Sequence, residues 1–246
     1  MPKFFIKSED ITNDILELKE DNANHIKNVL RLKIDDDISV CTENGQNYIC
    51  SIKEINKNSV ICQILKEELI NTETKNYITL FQGLPKADKF EYIIQKCTEL
   101  GVKEIVPVIT NRCVVKLDSK SEKAKLDRWS KIAEAASKQS NRNIITKINN
   151  IIDINKIVDL IKEYDIILVP YENEKETTLK KVLKDIEKEN VKIGIVIGPE
   201  GGFEEYEINI LKQAGGKIVT LGNRILRTET AGIFVTSILL YEFNEI

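Results

Sequence analysis

The sequence predicts an α/β protein in two parts, a small β-rich domain over residues 1–72 and a larger α/β domain over residues 73–246. Three observations carry that prediction. Short β-branched runs separated by turn signals dominate the first part, whereas from Tyr77 onward strand-like and amphipathic helical stretches alternate. The two regimes meet at Leu69–Asn76, a linker rich in Asn, Thr and Glu. Near the end of the chain, two glycine-bearing turns each follow a β-branched run and precede a helical pattern. They are Gly198-Pro199-Glu200-Gly201-Gly202 and the stretch from Leu221 to Thr230. Strand, glycine turn and helix in that order present backbone N–H groups to a ligand at the carboxyl ends of an open sheet.

In the first part the strands are read at Phe4–Ile6, Ile38–Cys41, Tyr48–Ile52 and Val60–Leu65, closing into a small β-barrel. Between the first two lies a helical segment from about Asp21 to Leu32, with Ala23, Ile26, Val29 and Leu30 as its apolar face. In the second part the strands are Ile78–Phe81, Ile105–Ile109, Ile166–Val169, Lys192–Ile197 and Lys217–Leu221. Helical patterns fall at about 88–100, 121–140, 154–163, 176–189, 204–214 and 228–243. Repeated strand–helix units imply a mostly parallel sheet with helices on both faces. Trp129 has the spacing of a core anchor with Ile132, Ala133 and Ala136.

Composition narrows the function. With 246 residues, 42% hydrophobic and 30% charged, the chain can bury a sizeable core. No apolar run is long enough to span a bilayer, and the N-terminus is charged too soon for a signal peptide, which points to the cytoplasm. The five cysteines are widely spaced without a C-x-x-C pair, which argues against a disulfide framework or a zinc site. A single histidine, His25, excludes any metal site needing two. The net charge of −3 is unevenly distributed: residues 1–72 carry 9 basic and 13 acidic side chains, residues 85–147 carry 14 and 8, and residues 148–246 carry 12 and 17. The central excess of +6 is a candidate phosphate-binding surface, set against the plainer reading of solvated helix faces.

The glycine turns are neither a G-x-G-x-x-G fingerprint nor a P-loop, and no G-x-S-x-G or H-E-x-x-H motif occurs. What remains is a backbone-lined pocket with Glu200, Arg227 and Glu229 at hand. It suits a cofactor held largely by main-chain groups.

Ile197-Gly198-Pro199-Glu200-Gly201-Gly202-Phe203, followed by Leu221-Gly222-Asn223-Arg224-Ile225-Leu226-Arg227-Thr228-Glu229-Thr230-Ala231, resembles the SPOUT class of methyltransferases. More narrowly it resembles the RsmE family, which methylates N3 of a uridine in small-subunit (16S) ribosomal RNA. His25–Arg31, Lys96–Val102, Arg112–Asp118 and the stretch from Arg128-Trp129 to Arg142 extend the match over nearly the whole chain. The resemblance implies a PUA-like N-terminal barrel, a C-terminal α/β domain tied in a trefoil knot, S-adenosylmethionine as cofactor, and a homodimer in which the partner chain finishes each site. It implies that the cofactor lies against Val169, Pro170, Tyr171 and Glu172, against Ile197, Gly198, Pro199, Glu200, Gly201 and Gly202, and against Leu221, Gly222, Ile225, Leu226 and Thr230. Its adenine would meet backbone at Leu221, Gly222 and Leu226.

Methylation of N3 needs an unpaired or flipped-out base, because that atom lies on the Watson–Crick edge. On this reading Arg227 stabilises negative charge developing on the uracil, and Glu200 or Glu229 accepts the N3 proton. Helix capping is the competing role for both acids. His25 and Arg31 are the RNA contacts of the first domain, while Lys86, Lys89, Arg112, Lys116 and Arg142 hold the phosphate backbone near the site. One departure from the family pattern is Thr146, where a proline is usual. Two other readings stay open: methylation of a ribose 2′-hydroxyl on the same scaffold, and a non-catalytic RNA-binding factor.

Overall fold

The computed structural model describes residues 1–114, 118–184, 186 and 189–246. It divides into two compact units, Met1–Glu73 with Ser137–Ile145, and Thr74–Ala136 with Thr146–Ile246.

The first unit is a six-stranded sheet. Its strands are β1 (Lys3–Ile6), β2 (Ile11–Thr12), β3 (Ile15–Lys19), β4 (Asp37–Thr42), β5 (Asn47–Ile55) and β6 (Ser59–Glu68), in the order β1-β4-β5-β6-β3-β2. Only β1 and β4 run parallel. Alternate residues such as Leu16, Leu18, Ile38, Val40, Cys50 and Ile52 face one core with Phe4 and Ile26. The helical segment predicted over 21–32 begins as α1 (Glu20–Asn24) and continues as a π-helix over His25–Leu30. A π-turn advances each residue by less than the roughly 100° of an α-helix, so the apolar face drifts. Ala23 and Ile26 stay buried, but Val29 is 64% exposed and Leu30 is at the surface. The segment ends at Arg31 in the left-handed conformation, φ 54°.

Residues 137–145 belong to this unit for a specific reason. The Glu73 carboxylate accepts from the Arg142 guanidinium at 2.6 and 3.2 Å and from the backbone N–H groups of Asn143 and Ile144. Lys3 Nζ donates to Asn141 O and Asn143 Oδ1, and Cys41 Sγ donates to Asn143 O. A linear cut at residue 72 misses this return of the chain, because nothing in a local period announces a buried ion pair between residues 69 apart.

The second unit is a seven-stranded sheet in which every pair is parallel. Its strands are β7 (Tyr77–Gly83), β8 (Glu104–Ile109), β9 (Lys147–Ile148), β10 (Ile152–Asp153), β11 (Ile166–Pro170), β12 (Lys192–Ile197) and β13 (Lys217–Val219). The order is β10-β8-β7-β12-β11-β13, with β9 beside β8. The helices are α2 (Lys89–Glu99), α3 (Ser119–Gln139), α4 (Ile154–Leu160), α5 (Leu179–Leu183), α6 (Glu205–Ala214) and α7 (Thr228–Glu242). Period-2 alternation sorts the strand residues onto two cores. Ile193, Ile195 and Ile197 face α2, α3 and α7, with Phe90 and Trp129 packed at 4.4 Å between ring centroids. Phe81, Val106 and Val196 face α4 and α6.

Three predicted elements of this unit change. The strand read over Lys217–Leu221 stops at Val219, because the Thr220 N–H donates to Thr177 O and the chain pairs there with the approach to α5. The helix read over 176–189 is helical only at Leu179–Leu183; residues 185, 187 and 188 lie outside the described part. The helix read over 154–163 turns 3-10 for its last three residues. Thr146 replaces the usual proline with a donor, its hydroxyl bonding Val102 O at 2.7 Å. No described helix is long and apolar enough to cross a membrane.

Candidate active site

A cavity of about 440 Å³ opens at the carboxyl ends of β11, β12 and β13. Both glycine turns line it. The first, leaving β12, lies so close to the end of β7 that a Cβ on Gly83 would stand 2.6 Å from Pro199 N. Gly202 has φ +69°, and a Cβ there would meet Glu172 Oε1 at 2.8 Å. The second turn is open instead of crowded. Gly222 has φ +103° and nothing within 4 Å of an added Cβ, so its backbone faces free space.

Beneath the first turn, Thr228 Oγ1 donates to Gly198 O at 2.6 Å and accepts from Gln82 Nε2 at 2.8 Å. One hydroxyl thus joins β7, the glycine turn and the start of α7. Above the turn, Arg112 forms a fork: Nη1 donates to Gly201 O at 2.8 Å, while Nε and Nη2 hold the Glu204 carboxylate at 2.8 and 3.2 Å. Glu204 is the N-cap of α6 in a capping box with Glu207, whose buried carboxylate also accepts from Asn111 N. Residues 111 and 112 are therefore both stapled to the Gly201–Glu207 turn.

On the wall of the cavity, Lys89 Nζ lies 2.8 Å from Glu200 Oε1 and 3.9 Å from Glu229 Oε2. Glu200 also accepts from the backbone N–H of Lys86 at 3.1 Å. Burial alone would raise the Glu200 pKa, but the Lys89 ammonium and backbone N–H donors prevail and hold it below the ordinary carboxylate value. Glu229 Oε2, by contrast, is buried and accepts no hydrogen bond from the described residues. Arg227 is the N-cap residue of α7, and its exposed side chain reaches the cavity without an ion pair to any described residue.

The cavity gathers most of the residues expected to hold a cofactor. Pro170, Tyr171, Glu172, Ile197, Gly198, Pro199, Glu200, Gly201, Gly202, Leu221, Gly222, Ile225 and Leu226 line it, together with Arg227. Two expected residues do not. Val169 is fully buried in the core behind the strand end, and Thr230 faces outward on α7. Sequence reasoning missed Lys175, Phe203, Thr220 and Thr228; the last had a usable signal, a hydroxyl at the first position of a helix directly after the turn.

The expected RNA contacts fare unevenly. Arg142 is corrected outright: its side chain is 3% exposed and paired with Glu73, so it presents no charge to a phosphate. Arg112 is committed to Gly201 and Glu204, and Lys89 lies in the cavity wall instead of on the outer surface. Lys86 remains exposed, with no ion pair to a described residue. Lys116 lies outside the described residues. In the first unit Arg31 is exposed, and the His25 ring packs edge-on against Phe4 at 5.9 Å.

Residues 72–240 match the RNA methyltransferase domain family, and residues 18–65 match the RNA methyltransferase PUA domain family. The ribosomal RNA small subunit methyltransferase E of Bacillus subtilis (strain 168) is 34% identical over 226 residues, covering 90% of this chain and 88% of its own. The crystal structure of a ribosomal RNA small subunit methyltransferase E from Neisseria gonorrhoeae, bound to S-adenosyl methionine, is 30% identical. It aligns with a TM-score of 0.88 over 98% of this chain and 97% of that one. A putative methyltransferase from Legionella pneumophila, in complex with the same cofactor, aligns at 29% identity with a TM-score of 0.87 over 97% and 96% of the two chains.

Proposed function

The chain belongs to the RNA methyltransferase family that includes ribosomal RNA small subunit methyltransferase E, and from that premise we propose that it methylates N3 of a uridine in small-subunit ribosomal RNA. It is an S-adenosylmethionine-dependent enzyme with a PUA-type domain ahead of an α/β domain of the SPOUT, trefoil-knot class. The observation that carries the finer reading is the cavity between the two glycine turns, with an arginine at its edge that is paired with no described residue.

The residues present fit the cofactor. A volume of about 440 Å³ lies in the range of small-molecule sites. The uncovered backbone at Gly222 offers main-chain groups to a flat heterocycle, and we place the adenine there, against Leu221 and Leu226. The Ile197–Gly202 turn and Tyr171-Glu172 would hold the remainder. When bound, S-adenosylmethionine supplies an electrophilic methyl group on a sulfonium centre.

The protein's own task is to manage charge on the base. N3 must lose its proton before it can attack, and the negative charge then spreads over the ring and its two carbonyl oxygens. Arg227 stands at the cavity edge with no ion pair from its guanidinium to a described residue, which suits it to stabilise that charge. Of the two carboxylates, Glu200 is held ionised by Lys89 and the Lys86 N–H, which makes it a weak base and a good clamp. Glu229 is the other candidate acceptor for the N3 proton: its Oε2 accepts no hydrogen bond from a described residue, but it is buried and the residue stands off the cavity lining. Lys86 and Arg31 are the exposed cations we assign to phosphate contacts, with His25 beside Phe4 as a further contact in the first unit. The substrate implies action in the cytoplasm, on RNA in the assembled small subunit. A homodimer is supported by α7, which keeps Phe234 and Tyr241 exposed along one side, 39% and 74%, although the helix is apolar nearly all round.

The test is a methyl-transfer assay on small-subunit particles lacking the modification, with labelled cofactor and digestion to nucleosides. Label in 3-methyluridine is expected; label in a 2′-O-methylated nucleoside overturns the choice of acceptor atom. Arg227→Ala should lower the transfer rate by about 10²–10³-fold while leaving cofactor affinity within a few-fold. Equal losses in both would remove Arg227 from catalysis.

A further inference from the structure

By sequence, Lys89 belongs with the cations that grip the RNA backbone; its surroundings say otherwise. Its side chain is 34% exposed, on the wall of the cofactor cavity, and stands between the Glu200 and Glu229 carboxylates. One ammonium and two carboxylates leave the cluster with a net charge of −1, an environment that repels a phosphate. An ammonium has three N–H donors in a compact, rotatable head. One is engaged by Glu200 at 2.8 Å; Glu229 at 3.9 Å is beyond hydrogen-bond reach. Two donors therefore have no acceptor among the described residues, although the group is anchored on the cavity wall.

We propose that Lys89 is a catalytic residue that donates a hydrogen bond to O4 of the target uracil, one of the two carbonyl oxygens flanking N3, and that with the neighbouring Glu200 carboxylate it reads the base as uracil. The proposal rests on the uridine N3 reading above and deepens it. A cation beside a carboxylate matches an edge on which a carbonyl lies beside an N–H. Cytosine fails that match, because its N3 carries no hydrogen and its exocyclic amino group would place a donor against the ammonium. As the N3 proton leaves for a neighbouring carboxylate, charge grows on the same carbonyl oxygen, so the bond strengthens toward the transition state. Glu200 then has a defined role: it fixes the ammonium from one side, and through the Lys86 N–H it ties the start of α2 to the glycine turn.

The experiment compares wild type with Lys89→Met, Lys89→Arg and Lys86→Ala, each checked for folding by thermal unfolding. Three quantities are measured: single-turnover methyl transfer on unmodified small-subunit particles, cofactor affinity by calorimetry without RNA, and the salt dependence of RNA affinity. Lys89→Met should slow transfer about 10²-fold, with cofactor affinity within about two-fold and the salt slope unchanged. Lys89→Arg, which keeps a charged donor, should recover at least ten-fold of that loss. Lys86→Ala should give a shallower salt slope with cofactor affinity unchanged. A shallower slope in Lys89→Met would make Lys89 a phosphate contact and overturn the proposal. A large loss of cofactor affinity would also overturn it, by assigning the ammonium to the cofactor's own carboxylate. Failure of the underlying reading is seen separately, as wild-type label in a nucleoside other than 3-methyluridine.

Discussion

Thr228 connects three elements through one oxygen, bonding Gly198 O and Gln82 Nε2 while only 6% exposed. Replacing it by valine keeps the volume but strands the Gly198 carbonyl in a dry place, at a cost of about 1–3 kcal/mol. Thr228→Val should lower the melting temperature by several degrees and weaken cofactor binding, with Thr228→Ser near wild type. An unchanged cofactor affinity would show that the turn holds its shape without the bond. Glu200 makes a pH-dependent prediction. Its folded-state pKa lies below the ordinary 4.5, so its ion pair stabilises fully above about pH 4.5 and loses that contribution as the pH falls through the lowered value. Urea midpoints of wild type and Glu200→Gln should therefore differ at pH 7 and at pH 5.5, begin to converge below pH 4.5 and meet below the lowered value; a gap that widens on acidification would contradict the assignment. Gly198, Gly201 and Gly202 were legible from sequence because glycine marks backbone that must come close to something. Arg142 was misread for the converse reason: a charged residue in a basic stretch looks exposed, and only the fold brings Glu73 to it.

At the scale of elements, alternation of β-branched runs with amphipathic helices located β7, β8, β11 and β12 nearly to the residue, because buried parallel strands read as continuous apolar runs. The two-residue strands β2, β9 and β10 were invisible, being too short to hold a period. The π-helix was also hidden, since a change from i→i+4 to i→i+5 bonding leaves no mark on composition. Helix α7 is the informative case. Its interior side buries Val235, Leu239 and Leu240 against the sheet and α2, yet Phe234 and Tyr241 stay exposed on another side. An apolar helix showing aromatic residues to solvent suits a second copy of the chain. On the proposed homodimer, Phe234→Asp with Tyr241→Asp should shift sedimentation toward the monomer and reduce methyl transfer with it. A variant that remains dimeric would place the subunit contact elsewhere.

At the scale of the whole molecule, the charge map of the sequence and that of the folded protein give different expectations for RNA binding. Residues 85–147 carry 14 cations and an excess of +6, which made the stretch the candidate phosphate-binding surface. Folding answers several of them: Lys89 by Glu200, Arg112 by Glu204, Arg128 by Glu91 and Arg142 by Glu73. A cation already neutralised by a carboxylate releases no counter-ion from RNA when the two meet, so it adds little to the salt dependence of binding. Lys86 differs, being exposed and unpaired with any described residue. The slope of log affinity against log salt should thus be shallower than a single-strand contact from every cation of that stretch would give, at roughly 0.7 per contact. Arg112→Ala should leave that slope unchanged while weakening cofactor binding through the loosened Gly201 turn, and Lys86→Ala should reduce it by about 0.7 without touching cofactor affinity. The two substitutions remove the same formal charge, so net charge alone predicts identical behaviour. Opposite responses would establish that carboxylate pairing, and not the basic excess of the sequence, decides which cations meet the RNA.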